Sequence, residues 1–228
     1  MKRTLLFFTA AILMISGASC QSKDNTTTNQ QRVLKAQQTI MPVEVAAIDG
    51  LDRAYFASGC FWCVEAVYES LKGVKESISG YSGGHTQNPT YASSNTGRTG
   101  HAEAVEIIYN AQEIRFSDLV DVYFGSQNIE QVNGQGPDRG SQYRSIIFYQ
   151  NQAQKDIIDS KIKELEQTLG KGNVAAEVLP FEKFWKGESY HQNYERLHPN
   201  NPYIQNVSIP RLRKFQKKFP DLLKTRQH

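Results

Sequence analysis

Two cysteines three residues apart, Cys60 and Cys63, bracket a pair of aromatic residues in Gly59-Cys60-Phe61-Trp62-Cys63-Val64-Glu65. A cysteine sulfur can attack, be oxidised and be reduced again, so this spacing points to thiol redox chemistry. An apolar run, Ala54-Tyr55-Phe56-Ala57, leads into the glycine, and Val64, Val67, Tyr68 and Leu71 follow at helical spacing. Cys60 is therefore expected at a strand-to-helix junction. There, unpaired N–H groups and the helix dipole favour an anion and lower a thiol's pKa. Cys63 falls about one helical turn further on, within bonding reach. Phe61 and Trp62 are large rings at a turn and suit an apolar substrate.

Reducing an oxidised sulfur needs a soft nucleophile, an acid for the departing oxygen, an apolar pocket and a thiol to clear the product left on the first. Cys60 is the nucleophile. Glu103, in Gly100-His101-Ala102-Glu103-Ala104, is the candidate acid. On a strand it shares a face with His101 and Val105, and small apolar surroundings would raise its pKa as a general acid requires. Glu106 faces the other side and is the weaker choice. Tyr91, Asp138 and Tyr143 lie in loops rich in turn formers, and a tyrosine can donate a hydrogen bond while covering apolar substrate. Taken singly, His101, His191 and His198 read as structural histidines rather than ligands.

These residues need elements to hold them. A strand is expected at about 53–58, then a helix from the Cys motif to Lys72, ended by Gly73. Val74–Tyr81 reads as a strand and Ser82-Gly83-Gly84 ends it. A long loop reaches Gly100, and long loops within a domain are usually functional. His101–Tyr109 is a strand, and Ser117 caps a helix holding Leu119, Val120, Tyr123 and Phe124. A glycine-rich loop, Asn133–Gly140, precedes the strand Tyr143–Tyr149. A charged amphipathic helix follows over about 152–169, then a strand at Val174–Leu179, a helix at Glu188–Leu197 and a basic surface helix or tail at Ser208–Leu223. Two strands without a helix between them argue against a doubly wound parallel sheet. An α+β sandwich is expected, an antiparallel sheet with helices on one face.

The chain has 228 residues, 39% hydrophobic and 21% charged, enough for one sizeable core. Its net charge of +3 gives no sign of nucleic acid. Lys2 and Arg3, the apolar stretch Leu5–Ile15 and the small residues Ser16-Gly17-Ala18-Ser19 resemble a bacterial lipoprotein signal ending before Cys20. The apolar stretch is too short to span a bilayer. Residues 1–19 are thus expected to be a signal peptide and Cys20 the lipidated residue. This anchors the protein in the bacterial cell envelope, facing the periplasm or exterior. Residues 20–50 are polar at their start and read as a flexible tether with a span on the order of 30 Å. The folded domain is 51–228.

Five collinear motifs carry a resemblance. They are Gly59-Cys60-Phe61-Trp62, Asn88-Pro89-Thr90-Tyr91, Gly100-His101-Ala102-Glu103-Ala104-Val105, Gly136-Pro137-Asp138-Arg139-Gly140-Ser141-Gln142-Tyr143-Arg144-Ser145 and Tyr190-His191-Gln192-Asn193-Tyr194. Together they resemble the peptide methionine sulfoxide reductase A family. The resemblance implies a ferredoxin-like α/β plait with added loops and C-terminal segments. It implies reduction of the S epimer of methionine sulfoxide, free or in proteins, to methionine, a repair of oxidative damage. By position, Cys60 is the nucleophile, Glu103 the acid, and Tyr91 and Tyr143 bind the sulfoxide oxygen or its water. Phe61 and Trp62 cage the ε-methyl, Asp138 holds the substrate backbone and His191 borders the pocket. No metal or organic cofactor is implied. A thioredoxin-like dithiol is the implied reductant, and a monomer is expected.

The chain departs from the family at three places. Many members have glycine where Cys63 stands. The tail Phe215–His228 lacks the cysteines other members carry there. Gly125-Ser126-Gln127-Asn128-Ile129-Glu130 replaces a His-Asp-Pro stretch. With Cys20 lipidated, Cys63 is the expected resolving cysteine, forming a disulfide with Cys60. Three other readings are weaker. A general thiol–disulfide oxidoreductase leaves Glu103, Tyr91 and Asp138 unexplained. A non-enzymatic surface lipoprotein would be indifferent to Cys60. A zinc site from two thiolates, His101 and His191 lacks ligand spacing.

Overall fold

The computed structural model describes residues 40–225. In chain order the elements are β1 (Asp52–Ser58), α1 (Phe61–Glu69), β2 (Val74–Ser82), a one-turn α2 (Tyr91–Ser94), β3 (Ala102–Tyr109) and α3 (Phe116–Gly125). A small hairpin follows, β4 (Gly134–Gln135) with β5 (Asp138–Arg139), then β6 (Ser145–Tyr149), α4 (Gln152–Leu169), β7 (Glu177–Pro180) and β8 (Phe184–Lys186). The chain closes with a one-turn α5 (Tyr194–Leu197) and α6 (Ile209–Lys218). The main sheet runs β7-β6-β1-β3-β2-β8. Its central four strands, β6-β1-β3-β2, are antiparallel neighbours. With α1 and α3 as crossovers they make the ferredoxin-like plait. β7 adds a parallel strand at one edge and β8 an antiparallel strand at the other.

Strand alternation sorts the core into two layers. Ala54, Phe56, Val105 and Ile107 pack with Val64 and Val67 of α1 and with Leu119 and Tyr123 of α3. Tyr55, Ala57, Ala102 and Ala104 belong to a second cluster with Phe181, which stacks on Tyr55 at 3.7 Å between ring centroids. The helices therefore lie on one face, and the segments around Val45 and Leu179–Phe184 cover the other.

Four expectations are corrected. The tether, drawn to residue 50, gives way earlier: Val43 N donates to Phe181 O at 2.7 Å and Val45 N to Gln150 Oε1 at 3.0 Å. The stretch 188–197 is not one helix. Asn193 takes φ +56°, and its N–H is held by the Glu65 carboxylate, which splits a 3₁₀ turn at Ser189–His191 from α5. The strand expected from Val174 starts only at Glu177, because Ala175 N is spent on Ile129 O at 2.8 Å. Ser208–Leu223, expected as a basic surface helix or tail, holds the helix α6, but that helix also reaches inward: Phe215 is 1% exposed in the core. The signal peptide at 1–19, Cys20 and the tether to residue 39 lie outside the described residues.

Candidate active site

Gly59 turns the chain from β1 into α1 at φ +84°, and a Cβ there would stand 2.5 Å from Gln135 Cβ. Only glycine fits both the turn and the space. Cys60 follows as the N-cap of α1 and is 6% exposed. The next residue, Phe61, donates its N–H to Glu103 Oε2 at 3.0 Å. β3 delivers that carboxylate: Glu103 pairs with Tyr81 of β2 and lies on the face that carries α1. The acid therefore sits at the helix start, beside the nucleophile, and is 2% exposed. Burial pushes its pKa up to about 8, while the Phe61 N–H pulls the other way and Asp138 adds to the rise.

The two thiols are free and buried. The helix start does not lower Cys60 as expected. Burial pushes its thiol well up, with contributions from Cys63 and Glu103. Cys63 is drawn down to about 7, chiefly by the Cys60 thiol and, against its own burial, by Arg211 and hydroxyl neighbours.

The aromatic residues form a wall around Cys60. Phe61 lies 6.3 Å from Tyr91, nearly parallel, and 4.9 Å from His191. Trp62 stacks on Tyr194 at 3.8 Å, and its Nε1–H donates to His191 Nδ1 at 3.1 Å. That bond requires a neutral His191 with its proton on Nε2, and burial lowers the His191 pKa accordingly. His191 Nε2 is buried with no hydrogen-bond partner among the described residues. Tyr91 is fixed through its backbone, whose N–H donates to Glu188 Oε1 at 2.8 Å. The other Glu188 oxygen takes the Tyr81 hydroxyl at 2.8 Å. Tyr143 stands over Asn95, its hydroxyl 3.4 Å from Asn95 Oδ1, with its pKa raised by burial and by Glu103. Asp138, on β5, accepts the Tyr203 hydroxyl at 2.6 Å.

The fold therefore gathers Cys60, Phe61, Trp62, Cys63, Tyr91, Glu103, Asp138, Tyr143 and His191 around one end of α1. Glu106 is outside the group, accepting the Tyr55 hydroxyl at 2.8 Å on the other face. His101 is occupied by Gly84 N and Thr86 O. Two neighbours of the sulfurs were not singled out from sequence. Tyr203 brings its hydroxyl 3.8 Å from Cys63 Sγ. Arg211 spans to Ser58 O at 3.0 Å and Ser126 O at 2.9 Å. A lone tyrosine after Asn201-Pro202 and one arginine in a basic helix carry no local signal. The replaced stretch at 125–130 lies here too: Asn128 N donates to Gln135 Oε1 at 2.8 Å, next to the Gly59 turn.

A buried nucleophile with an undissociated carboxyl beside it and an aromatic cage around it suits proton-assisted attack on a polar group carried by an apolar chain. Comparison with known proteins gives the same answer. The family model for peptide methionine sulfoxide reductase matches residues 52–223. The peptide methionine sulfoxide reductase MsrA of Saccharolobus solfataricus is 43% identical over 174 residues, 76% of this chain and 98% of the relative. That of Pasteurella multocida is 44% identical over 172 residues, 75% of this chain and 98% of the relative. Among solved structures, methionine sulfoxide reductase A of Corynebacterium diphtheriae is similar with a TM-score of 0.59 and 29% identity, covering 70% of this chain and 82% of that one. Reduced Mxr1 from Saccharomyces cerevisiae gives 0.60 and 29%, covering 68% and 91%.

Proposed function

The chain belongs to the peptide methionine sulfoxide reductase family, and on that premise we propose how its own residues reduce methionine S-sulfoxide to methionine. The observation that carries the assignment is the buried Glu103 carboxyl at the N–H of the residue after Cys60. One Glu103 oxygen accepts the Phe61 N–H, which leaves the other to carry the proton. Phe61 and Trp62 take the methyl end of the side chain, and Asp138 takes the substrate backbone N–H. Tyr91 and Tyr143 hydrogen-bond the sulfoxide oxygen, and His191, locked by the Trp62 indole, holds the cage in shape. Cys60 sulfur bonds to the sulfoxide sulfur as the oxygen takes the Glu103 proton. The thiol proton of Cys60 replaces it. The hydroxyl then passes from the substrate sulfur to Cys60 sulfur as the transient bond between the two sulfurs breaks and its electron pair returns to the substrate, so methionine departs and Cys60 is left as a sulfenic acid.

Cys63 then attacks Cys60 sulfur and expels the oxygen as water, closing a Cys60–Cys63 disulfide. The place of Cys63 in the first turn of α1, one turn on from the N-cap Cys60, supports that role. A thioredoxin-type dithiol reduces the disulfide and completes the cycle. Residues 1–20 support a further proposal: Cys20 carries the lipid that anchors the domain in a bacterial envelope, with residues after it as the tether.

Cys60→Ser tests the assignment. Turnover of the S epimer is expected to vanish while binding of the sulfoxide persists. Sulfoxide reduction by that variant would remove Cys60 as nucleophile and with it the scheme.

A further inference from the structure

Glu65 is a buried acid to which the scheme above gives no task. It is 1% exposed and forms no ion pair among the described residues. Burial pushes its pKa up to about 7, and two hydrogen bonds oppose the rise. The Ser79 hydroxyl of β2 donates to Oε2 and the Asn193 N–H to Oε1. A buried carboxyl without a cation costs stability that an apolar side chain would not. What the carboxyl adds at this position is therefore geometry. It stands one turn along α1 from Trp62, on the same side of the helix.

Residues 191–194 link the two. The outer pair grips the indole: His191 Nδ1 accepts the Trp62 Nε1–H at 3.1 Å, and the Tyr194 ring stacks on Trp62 at 3.8 Å. The inner pair is tied to the scaffold. Gln192 accepts the Ser79 N–H at 3.0 Å and donates to Ser79 O at 2.9 Å. Asn193, at φ +56°, gives its N–H to Glu65. That left-handed residue turns the chain so that both outer residues reach one ring. A cavity of about 320 Å³ borders Trp62, Glu65, Asn193 and Tyr194. Packing alone does not fix the indole there, so the hydrogen-bonded turn must.

We infer that Glu65 is a positioning residue for the cage: by holding Asn193 it aims His191 and Tyr194 at Trp62, and so sets how tightly the methyl end of the sulfoxide is bound. This rests on the reading that Trp62 takes that methyl end. Oε1 stays an acceptor for Asn193 whether or not the carboxyl is protonated, because the proton goes to Oε2, where the Ser79 hydroxyl can turn to accept it. An amide can therefore replace the carboxyl, and an apolar side chain of the same length cannot. Cys60 and Glu103 are held by other bonds, so the chemical step is left alone.

The test is single-turnover reduction of methionine S-sulfoxide by the full chain, followed against sulfoxide concentration. Trp62 emission is read in a Trp185→Phe background, which leaves Trp62 as the one tryptophan. Glu65→Met should raise the half-saturating concentration about tenfold, hold the plateau rate within about twofold and move the emission to longer wavelength. Glu65→Gln should restore all three. Trp62→Phe should itself raise the half-saturating concentration, and Glu65→Met on top of it should add little. If Glu65→Met does not fold, Glu65→Asp replaces it, since its shorter chain falls short of Asn193. An unchanged half-saturating concentration overturns the inference and leaves the cage standing. So does a fall confined to the plateau, a Glu65→Gln variant as impaired as Glu65→Met, or a full added loss in the Trp62→Phe background. No effect of Trp62→Phe by itself overturns the cage, and this inference with it.

Discussion

Glu103 gives one oxygen to the first turn of α1 through Phe61 N–H, and in the proposed scheme the other holds the proton for the substrate. Because burial raises its pKa to about 8, it is protonated at neutral pH and loses the proton above that value. Single-turnover reduction should therefore fall as pH rises through about 8. Glu103→Gln keeps the size of the side chain and removes the transferable proton. It should slow the step by about 10²–10⁴-fold and abolish that alkaline fall, measured as pre-steady-state methionine formation. An unchanged profile would exclude Glu103 as the acid. At this scale much was legible, since Cys60, Glu103 and the aromatic pair announce themselves by type and neighbours. The sign of the Cys60 shift did not. A helix dipole can be read from local sequence, but burial depends on β3, α2 and the 191–203 stretch, which are remote in the chain. For the same reason the places of Tyr203 and Arg211 beside the sulfurs have no local signal.

The elements work as a clamp on one turn. β1 ends at Ser58, Gly59 reverses the chain, and Gln135 of the hairpin packs where a side chain on Gly59 would be. Gln135 is itself held by Gln127 and Asn128. Gly59→Ala should therefore cost about 1–3 kcal/mol of stability through positive φ and crowding. It should also slow the sulfoxide step by displacing Cys60, with thermal melting and single-turnover rate as the readouts. Normal stability with normal rate would show that the turn tolerates a side chain. The central strands and α1, α3 and α4 were readable because each carries a full period of apolar residues. β8 was not: three residues hold no period, and it exists because its backbone pairs with Gly80–Ser82. The break at Asn193 was equally hidden, since it is made by the buried carboxylate of Glu65, far away in sequence.

At the scale of the molecule, a plait extended by one strand at each edge presents an aromatic cage and, beside Cys63, a second cleft at the start of the same helix. The compact unit begins at Met41, well after the proposed lipid site, so anchoring and catalysis should be separable. Cys20→Ser is expected to move the protein from the membrane fraction to the soluble fraction with kcat unchanged. A variant that stays in the membrane would remove Cys20 as the anchor. What joins the two halves of the proposed cycle is a single covalent event, closure of Cys60 onto Cys63. The most direct measurement is the intact mass and disulfide map of the full chain after one turnover with methionine S-sulfoxide in the absence of reductant. One methionine per chain should be released, the mass should fall by that of two hydrogens, and Cys60 should be bridged to Cys63. A sulfenic acid that persists on Cys60 with Cys63 still free, or methionine formed after Cys60 is alkylated, would contradict it.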